Sequence, residues 1–192
     1  KCRISCIRNR TTCLTNTGKE LPRIPRVKTF DDFKAFSDAG RQLANLHLNY
    51  ETVEKYPVKF AGKLKHDGLN FVDARAEDFY VTKMKHPRKR DEETGNNVND
   101  LSKIVYNGQI TLEDIPEEAY DYVVNSKSAI AWVMERQAVT THKDSGITND
   151  ANDWAIETMG DAKYPLELLQ RVITVSLETM KEAAIKSIQN NE

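Results

Sequence analysis

An α+β domain is the fold class this sequence predicts, with a mixed or antiparallel sheet, a β-hairpin, and long helices near the N- and C-terminal ends. Three observations point there. Apolar residues recur at three- and four-residue steps after Thr29 and again after Pro165, the spacing of an amphipathic helix. Between them lie short groups rich in β-branched and aromatic residues, such as Leu69-Asn70-Phe71-Val72 and Phe79-Tyr80-Val81-Thr82, which read as strands. Asn107-Gly108 separates Ile104-Val105-Tyr106 from Gln109-Ile110-Thr111. Asn-Gly favours a hairpin because both turn positions must accept positive φ.

Taken in order, residues 1–20 are polar and lack periodicity, so they read as an irregular or poorly ordered leader to a single domain over 21–192. Leu21-Pro22-Arg23-Ile24-Pro25 is extended, since two prolines remove donors and restrict their predecessors. The first helix starts near Thr29 or Asp31 and runs to about Asn49. Thr29 with Asp32 resembles a capping box, and Phe33, Phe36, Gly40, Leu43 and His47 form its periodic face. Residues 91–100 and 142–153 are rich in Asp, Asn, Thr and Gly and read as loops. Tyr120 to Val124 is a candidate strand, and Ser126 is placed to cap a helix over Lys127–Gln137. Trp132 and Trp154 are expected to pack. In the last helix Pro165 suits the first position, and Leu166, Leu169, Ile173, Leu177, Met180, Ala184 and Ile188 make one apolar stripe.

The formal net charge of −1 conceals a division along the 192 residues. Residues 1–90 carry 20 Lys+Arg against 10 Asp+Glu, a balance of +10, whereas residues 91–162 carry 4 against 15, a balance of −11. A chain that is neutral overall can therefore present a phosphate-binding face. No apolar run is long enough for a membrane span. The chain also opens without Met or an apolar signal segment, which suggests a piece of something longer, and its cysteines, read as free thiols, suit a reducing cytoplasm. Cys2, Cys6 and Cys13 are an odd number with no histidine before His47, which suits free thiols better than zinc or a closed disulfide framework.

Catalytic signatures are lacking. Gly18-Lys19 is followed by Glu20 where a phosphate loop needs Ser or Thr for magnesium, and no paired-histidine helix or nucleophile elbow is present. The loop from Asp144 to Asn152 lacks the bidentate glutamate of a calcium loop. No catalytic or metal residue is therefore assigned. The positive feature is Lys83-Met84-Lys85-His86-Pro87-Arg88-Lys89-Arg90, five cations in eight residues. Lys83, Lys85, Arg88, Lys89 and Arg90 are candidate phosphate contacts on a loop, because clustered cations displace counterions without needing precise geometry. Gln109, Asn125, Lys127 and Arg136 have the side-chain chemistry for reading base edges.

Several stretches resemble a known family. Leu21 to Pro25 with Gly40 to Glu51 resembles the close of the methyltransferase–recognition region of type ISP restriction–modification enzymes. Tyr120 to Asn125, Ser128 to Arg136, Asp144 to Trp154 and Thr174 to Met180 resemble their C-terminal specificity domain. Residues 1–20 depart from that pattern. The resemblance implies a target-recognition domain whose partners are duplex DNA and the methyltransferase and helicase domains of the same polypeptide. It also implies that S-adenosylmethionine, ATP and magnesium serve the parent enzyme, with their motifs outside this chain. The other role compatible with a long amphipathic terminal helix is protein–protein docking that couples the methyltransferase to the motor.

Overall fold

The computed structural model describes residues 28–183; the expectations for the leader, the cysteines, Leu21 to Pro25, Ala184 and Ile188 lie outside them. The elements run α1 (Phe30–Leu48), β1 (Lys59–Gly62), β2 (His66–Asp67), β3 (Asn70–Phe71), β4 (Arg88–Arg90), β5 (Asn97–Asn99), β6 (Ile104–Val105), β7 (Ile110–Glu113), β8 (Val123–Val124), β9 (Lys127–Ser128), α2 (Ala129–Arg136), β10 (Thr140–Thr141), β11 (Thr148–Asn149), α3 (Ala151–Glu157) and α4 (Tyr164–Ala183). This is an α+β fold with antiparallel pairing: a three-stranded sheet ordered β1-β7-β6 and four separate two-stranded ribbons.

The sheet supplies the centre of the core. Ile110 and Leu112 of β7 are buried while Thr111 and Glu113, which alternate with them, are not, the period-two signature of a sheet with one covered face. Phe60, Phe79, Val81, Ile104, Tyr106 and Ile130 join them, and Leu166, Leu169 and Ile173 of α4 close the core from the helical side. Gly62 ends β1 at φ +136°, with the position of an added Cβ only 1.9 Å from the Gln109 carbonyl oxygen. Only a residue without a side chain fits that approach. The same carbonyl accepts from the Lys63 N–H at 3.0 Å.

The hairpin at Asn107-Gly108 forms, but not with the expected turn. Ile104 pairs with Leu112 and Val105 with Thr111, and neither Asn107 nor Gly108 has positive φ. Asn107 instead builds the turn with its side chain. Its Oδ1 accepts from the N–H groups of Gln109 and Ile110, both at 2.8 Å, and its Nδ2 donates to the carbonyls of Asp78 and Tyr80, both at 2.9 Å. The two-residue turn with paired positive φ occurs elsewhere, at Asn125 (φ 50°) and Ser126 (φ 70°) between β8 and β9. Ser126 is thus a turn residue, and Ser128 caps α2 by accepting from the Ala131 N–H at 3.2 Å.

Phe79 to Thr82 is not a strand. Ala76–Phe79 is a 3-10 turn, and the extended residues after it bond mainly to side chains. Asn152 accepts from the Val81 N–H and donates to the Val81 carbonyl, each at 2.9 Å, and the Tyr106 hydroxyl donates to the Phe79 carbonyl at 2.7 Å. The Thr82 carbonyl takes the Val139 N–H. The apolar alternation that suggests a strand is real, since Phe79 and Val81 are buried, but its partners are amides and a phenol rather than a neighbouring strand.

Each segment expected as a loop supplies one strand of a ribbon, and 142–153 also holds the start of α3. β4 and β5 pair across residues 91–96, where the Asp91 carboxylate accepts from the N–H groups of Glu93 and Thr94 and Gly95 sits at φ +70°. β10 and β11 enclose a similar turn with Gly146 at φ +68°, and Asp150 then caps α3. Helix α1 begins as expected, with the Thr29 hydroxyl accepting from the Asp32 N–H at 3.1 Å. Its inward face is shifted, however. Ala39 is buried and Phe36, Leu43 and Leu46 partly so, whereas Phe33 and Gly40 are exposed. Helix α4 packs against α1, α2 and α3. Beyond Ile173 its most buried positions are Ser176 and Thr179, while Leu177 and Met180 are only half-covered. The Thr179 hydroxyl meets His47 Nε2 of α1 at 2.8 Å, so the stripe turns polar where α1 crosses it.

Candidate nucleic-acid interface

The basic run divides into a start anchored on the sheet hairpin and an end that forms one strand of a ribbon. Met84 is buried, and the Lys85 backbone pairs in both directions with Val105, at 3.1 and 2.8 Å. His86 Nδ1 meets the Lys103 carbonyl at 2.9 Å while its ring packs edge-on to Tyr120. Lys83 and Lys85 border a shallow cleft of about 260 Å³ that Thr82 and residues 105–108 also line. Arg88, Lys89 and Arg90 constitute β4, paired with Asn99, Val98 and Asn97 respectively. Lys89 faces Asp100 across 3.3 Å. Hydrogen bonds from Ser102 and then the charge of Lys89 hold the Asp100 carboxyl below the usual carboxylate range, so this cation is already countered.

The four base-reading candidates fall into two places. Gln109 lies at the sheet hairpin, where its Nε2 donates to Asp78 Oδ1 at 2.9 Å. The Asp78 carboxyl is held low mainly by the Arg75 N–H and also by Gln109, so the Gln109 amide is engaged within the fold. Asn125, Lys127 and Arg136 are brought together by β8, β9 and α2. Trp132 is the link: its Nε1 donates to the Val124 carbonyl at 2.7 Å, and Lys127 and Arg136 lie over its ring at 4.8 and 5.5 Å. Lys127 also pairs with Glu135, whose carboxyl this contact lowers. Arg136 and Asn125 keep exposed donors. Stacking on an indole orients a guanidinium without consuming its N–H groups. Trp132 therefore packs as expected, but Trp154 is 56% exposed and does not.

Asn97 and Asn99 become candidates only in the folded chain, where they pair with Arg90 and Arg88, because 91–100 reads as a loop. The signal that finds them is the alternation Asn97-Val98-Asn99 facing Arg88-Lys89-Arg90 across a glycine-containing turn. Among the described residues, no three His, Cys, Asp or Glu side chains gather as a metal site, and no helix is long and apolar enough to cross a membrane.

A family model described as the type ISP C-terminal specificity domain matches residues 16–170. The chain belongs to this family. Comparison with curated protein sequences gave no significant match. Solved structures similar to this specificity domain include a nuclease-deletion mutant of the type ISP restriction–modification enzyme LlaGI in complex with a DNA substrate mimic, at 37% identity and a TM-score of 0.64, covering 86% of this chain and 13% of that one. The ATP-dependent type ISP enzyme LlaBIII bound to DNA matches at 37% identity and a TM-score of 0.66, covering 88% of this chain and 10% of its own. A DrdV–DNA complex matches at 26% identity and a TM-score of 0.62, covering 95% of this chain and 16% of that one. The specificity domain thus spans a small fraction of much longer polypeptides.

Proposed function

We propose that this domain recognises a specific duplex DNA sequence on behalf of methyltransferase and nuclease–helicase domains in a longer polypeptide. The observation that carries the reading is its 37% identity, over most of the chain, with two type ISP enzymes solved with DNA or a DNA mimic. Lys83 and Lys85 at the cleft supply phosphate contacts that position the domain. Asn125 and Arg136 present base-reading donors from the turn and helix that Trp132 joins, while Gln109 and Lys127 serve mainly to brace those surfaces. Catalysis lies elsewhere in the parent, and so do the sites for S-adenosylmethionine, ATP and magnesium. The experiment is selection of bound sequences by the full chain from a randomised duplex library. Enrichment of a defined motif supports the reading, and capture of duplexes without sequence preference overturns it.

A docking role is favoured by one feature, and it is α1 rather than the terminal helix. Phe30, Phe33 and Leu48 of α1 are 74%, 58% and 80% exposed, whereas the apolar face of α4 is used within the domain itself. In this second reading α1 packs on the rest of the parent polypeptide. It is tested by Phe30→Ser with Phe33→Ser in the parent enzyme. Loss of restriction with unchanged DNA selection supports docking, and undiminished restriction removes it.

A further inference from the structure

The ribbon β4–β5 has two unlike faces. Cross-strand partners in an antiparallel pair share a face, and successive residues alternate. Lys89 and Val98 therefore occupy one face, where Asp100, the residue after β5, counters the Lys89 ammonium and Val98 is half-buried. Arg88, Arg90, Asn97 and Asn99 occupy the other, and all four are exposed. Arg88 is steadied by one bond, from Nη1 to the Asn97 carbonyl at 3.1 Å, and retains its other donors. The turn beyond them carries Asp91, Glu92 and Glu93.

That combination fits a groove better than a backbone. Phosphates are uniformly negative and would repel the carboxylates at the ribbon tip. The floor of the major groove is mixed: guanine offers two acceptors to arginine, adenine offers an acceptor and a donor to asparagine, and cytosine offers an amino group to a carboxylate. A two-stranded ribbon is also narrow enough to enter it. We infer that the β4–β5 ribbon inserts into the major groove as a sequence-reading element, with Arg88 and Arg90 directed to guanine and Asn97 and Asn99 to adenine. The inference rests on the DNA-recognition reading above. It reassigns Arg88 and Arg90 from the phosphate role that clustered charge alone suggests.

The test compares wild type with Arg90→Lys, Arg90→Ala, Asn97→Ala and Asn99→Ala in the full chain, using a randomised duplex library and a salt titration on the best sequence selected. Arg90→Lys keeps the charge but loses the planar fork. It should relax preference at one G·C position by about 5- to 150-fold, leaving the salt slope unchanged. Asn97→Ala or Asn99→Ala should relax an A·T position. If Arg90→Lys matches wild type at every position and Arg90→Ala lowers the salt slope by about 0.9, the ribbon touches phosphate and the inference fails. If no ribbon substitution alters either readout, it fails as well. A wild-type chain that selects no motif overturns the DNA-recognition reading itself, whereas a selected motif untouched by ribbon changes overturns only this assignment.

Discussion

At the residue scale, single polar side chains do the work that strands do elsewhere. Asn152, 6% exposed, satisfies both backbone groups of Val81, a residue with no strand beside it. Burying an amide and a carbonyl without partners costs about 1–3 kcal/mol. Asn152→Ala is therefore expected to lower stability by at least about that amount, measured by urea denaturation, with the midpoint falling and the slope little changed. Equal midpoints would mean that Val81 finds other partners. Asn152 sits in a stretch whose Asp, Asn, Thr and Gly content announces a turn. Composition does not say that an amide at the start of α3 reaches a backbone 71 residues earlier. Asn107 carries the same lesson, since a side-chain turn and a positive-φ turn begin from the same dipeptide.

At the element scale, the two long helices have opposite fates despite similar periodicity. Leu169 of α4 is fully buried among the core residues, so Leu169→Ala should cost about 2–5 kcal/mol and depress the melting temperature. Phe33 of α1 is 58% exposed, so Phe33→Ser should change stability by no more than about 0.5 kcal/mol in the isolated chain. A large loss at Phe33 with none at Leu169 would reverse this account of the packing. The start of α1 is readable because capping is local, the Thr29 hydroxyl accepting from the Asp32 N–H three residues on, whereas α2 is capped by Ser128 rather than Ser126 and α3, capped by Asp150, begins inside a stretch that reads as loop. Which arc of α1 turns inward was not readable. Phe33 and Phe36 both belong to an amphipathic pattern, and the choice between them is made by how α1 crosses α4 near His47 and Thr179.

At the scale of the whole molecule, the proposed function assigns positioning and base recognition to different residues. Lys83 and Lys85 border the cleft beside the sheet hairpin, and neither has a carboxylate partner among the described residues. If both meet phosphate, Lys83→Gln with Lys85→Gln should lower the salt slope of log affinity by about 1.8, since each contact contributes roughly 0.9. Base preference should remain. An unaltered slope would place the DNA elsewhere on the surface. The intact chain should also neither hydrolyse ATP nor transfer a methyl group from S-adenosylmethionine. Turnover abolished by a point change within these residues would contradict the assignment of catalysis to the rest of the parent.

The order of amino acids alone is enough for the α+β class, the start of α1 and of α4, the existence of the sheet hairpin and the family. Each of these rests on local physics or on several stretches of sequence taken together: helical period, capping within one turn, turn-forming dipeptides. The cation cluster was equally visible, but its form was not. It takes the folded chain to show Arg88 to Arg90 paired with Asn97 to Asn99, Lys89 tied to Asp100, and Arg136 lying over Trp132. Three-residue strands carry too little periodicity to declare themselves. Whether a cation is free or already countered depends on which carboxylate the completed fold places beside it.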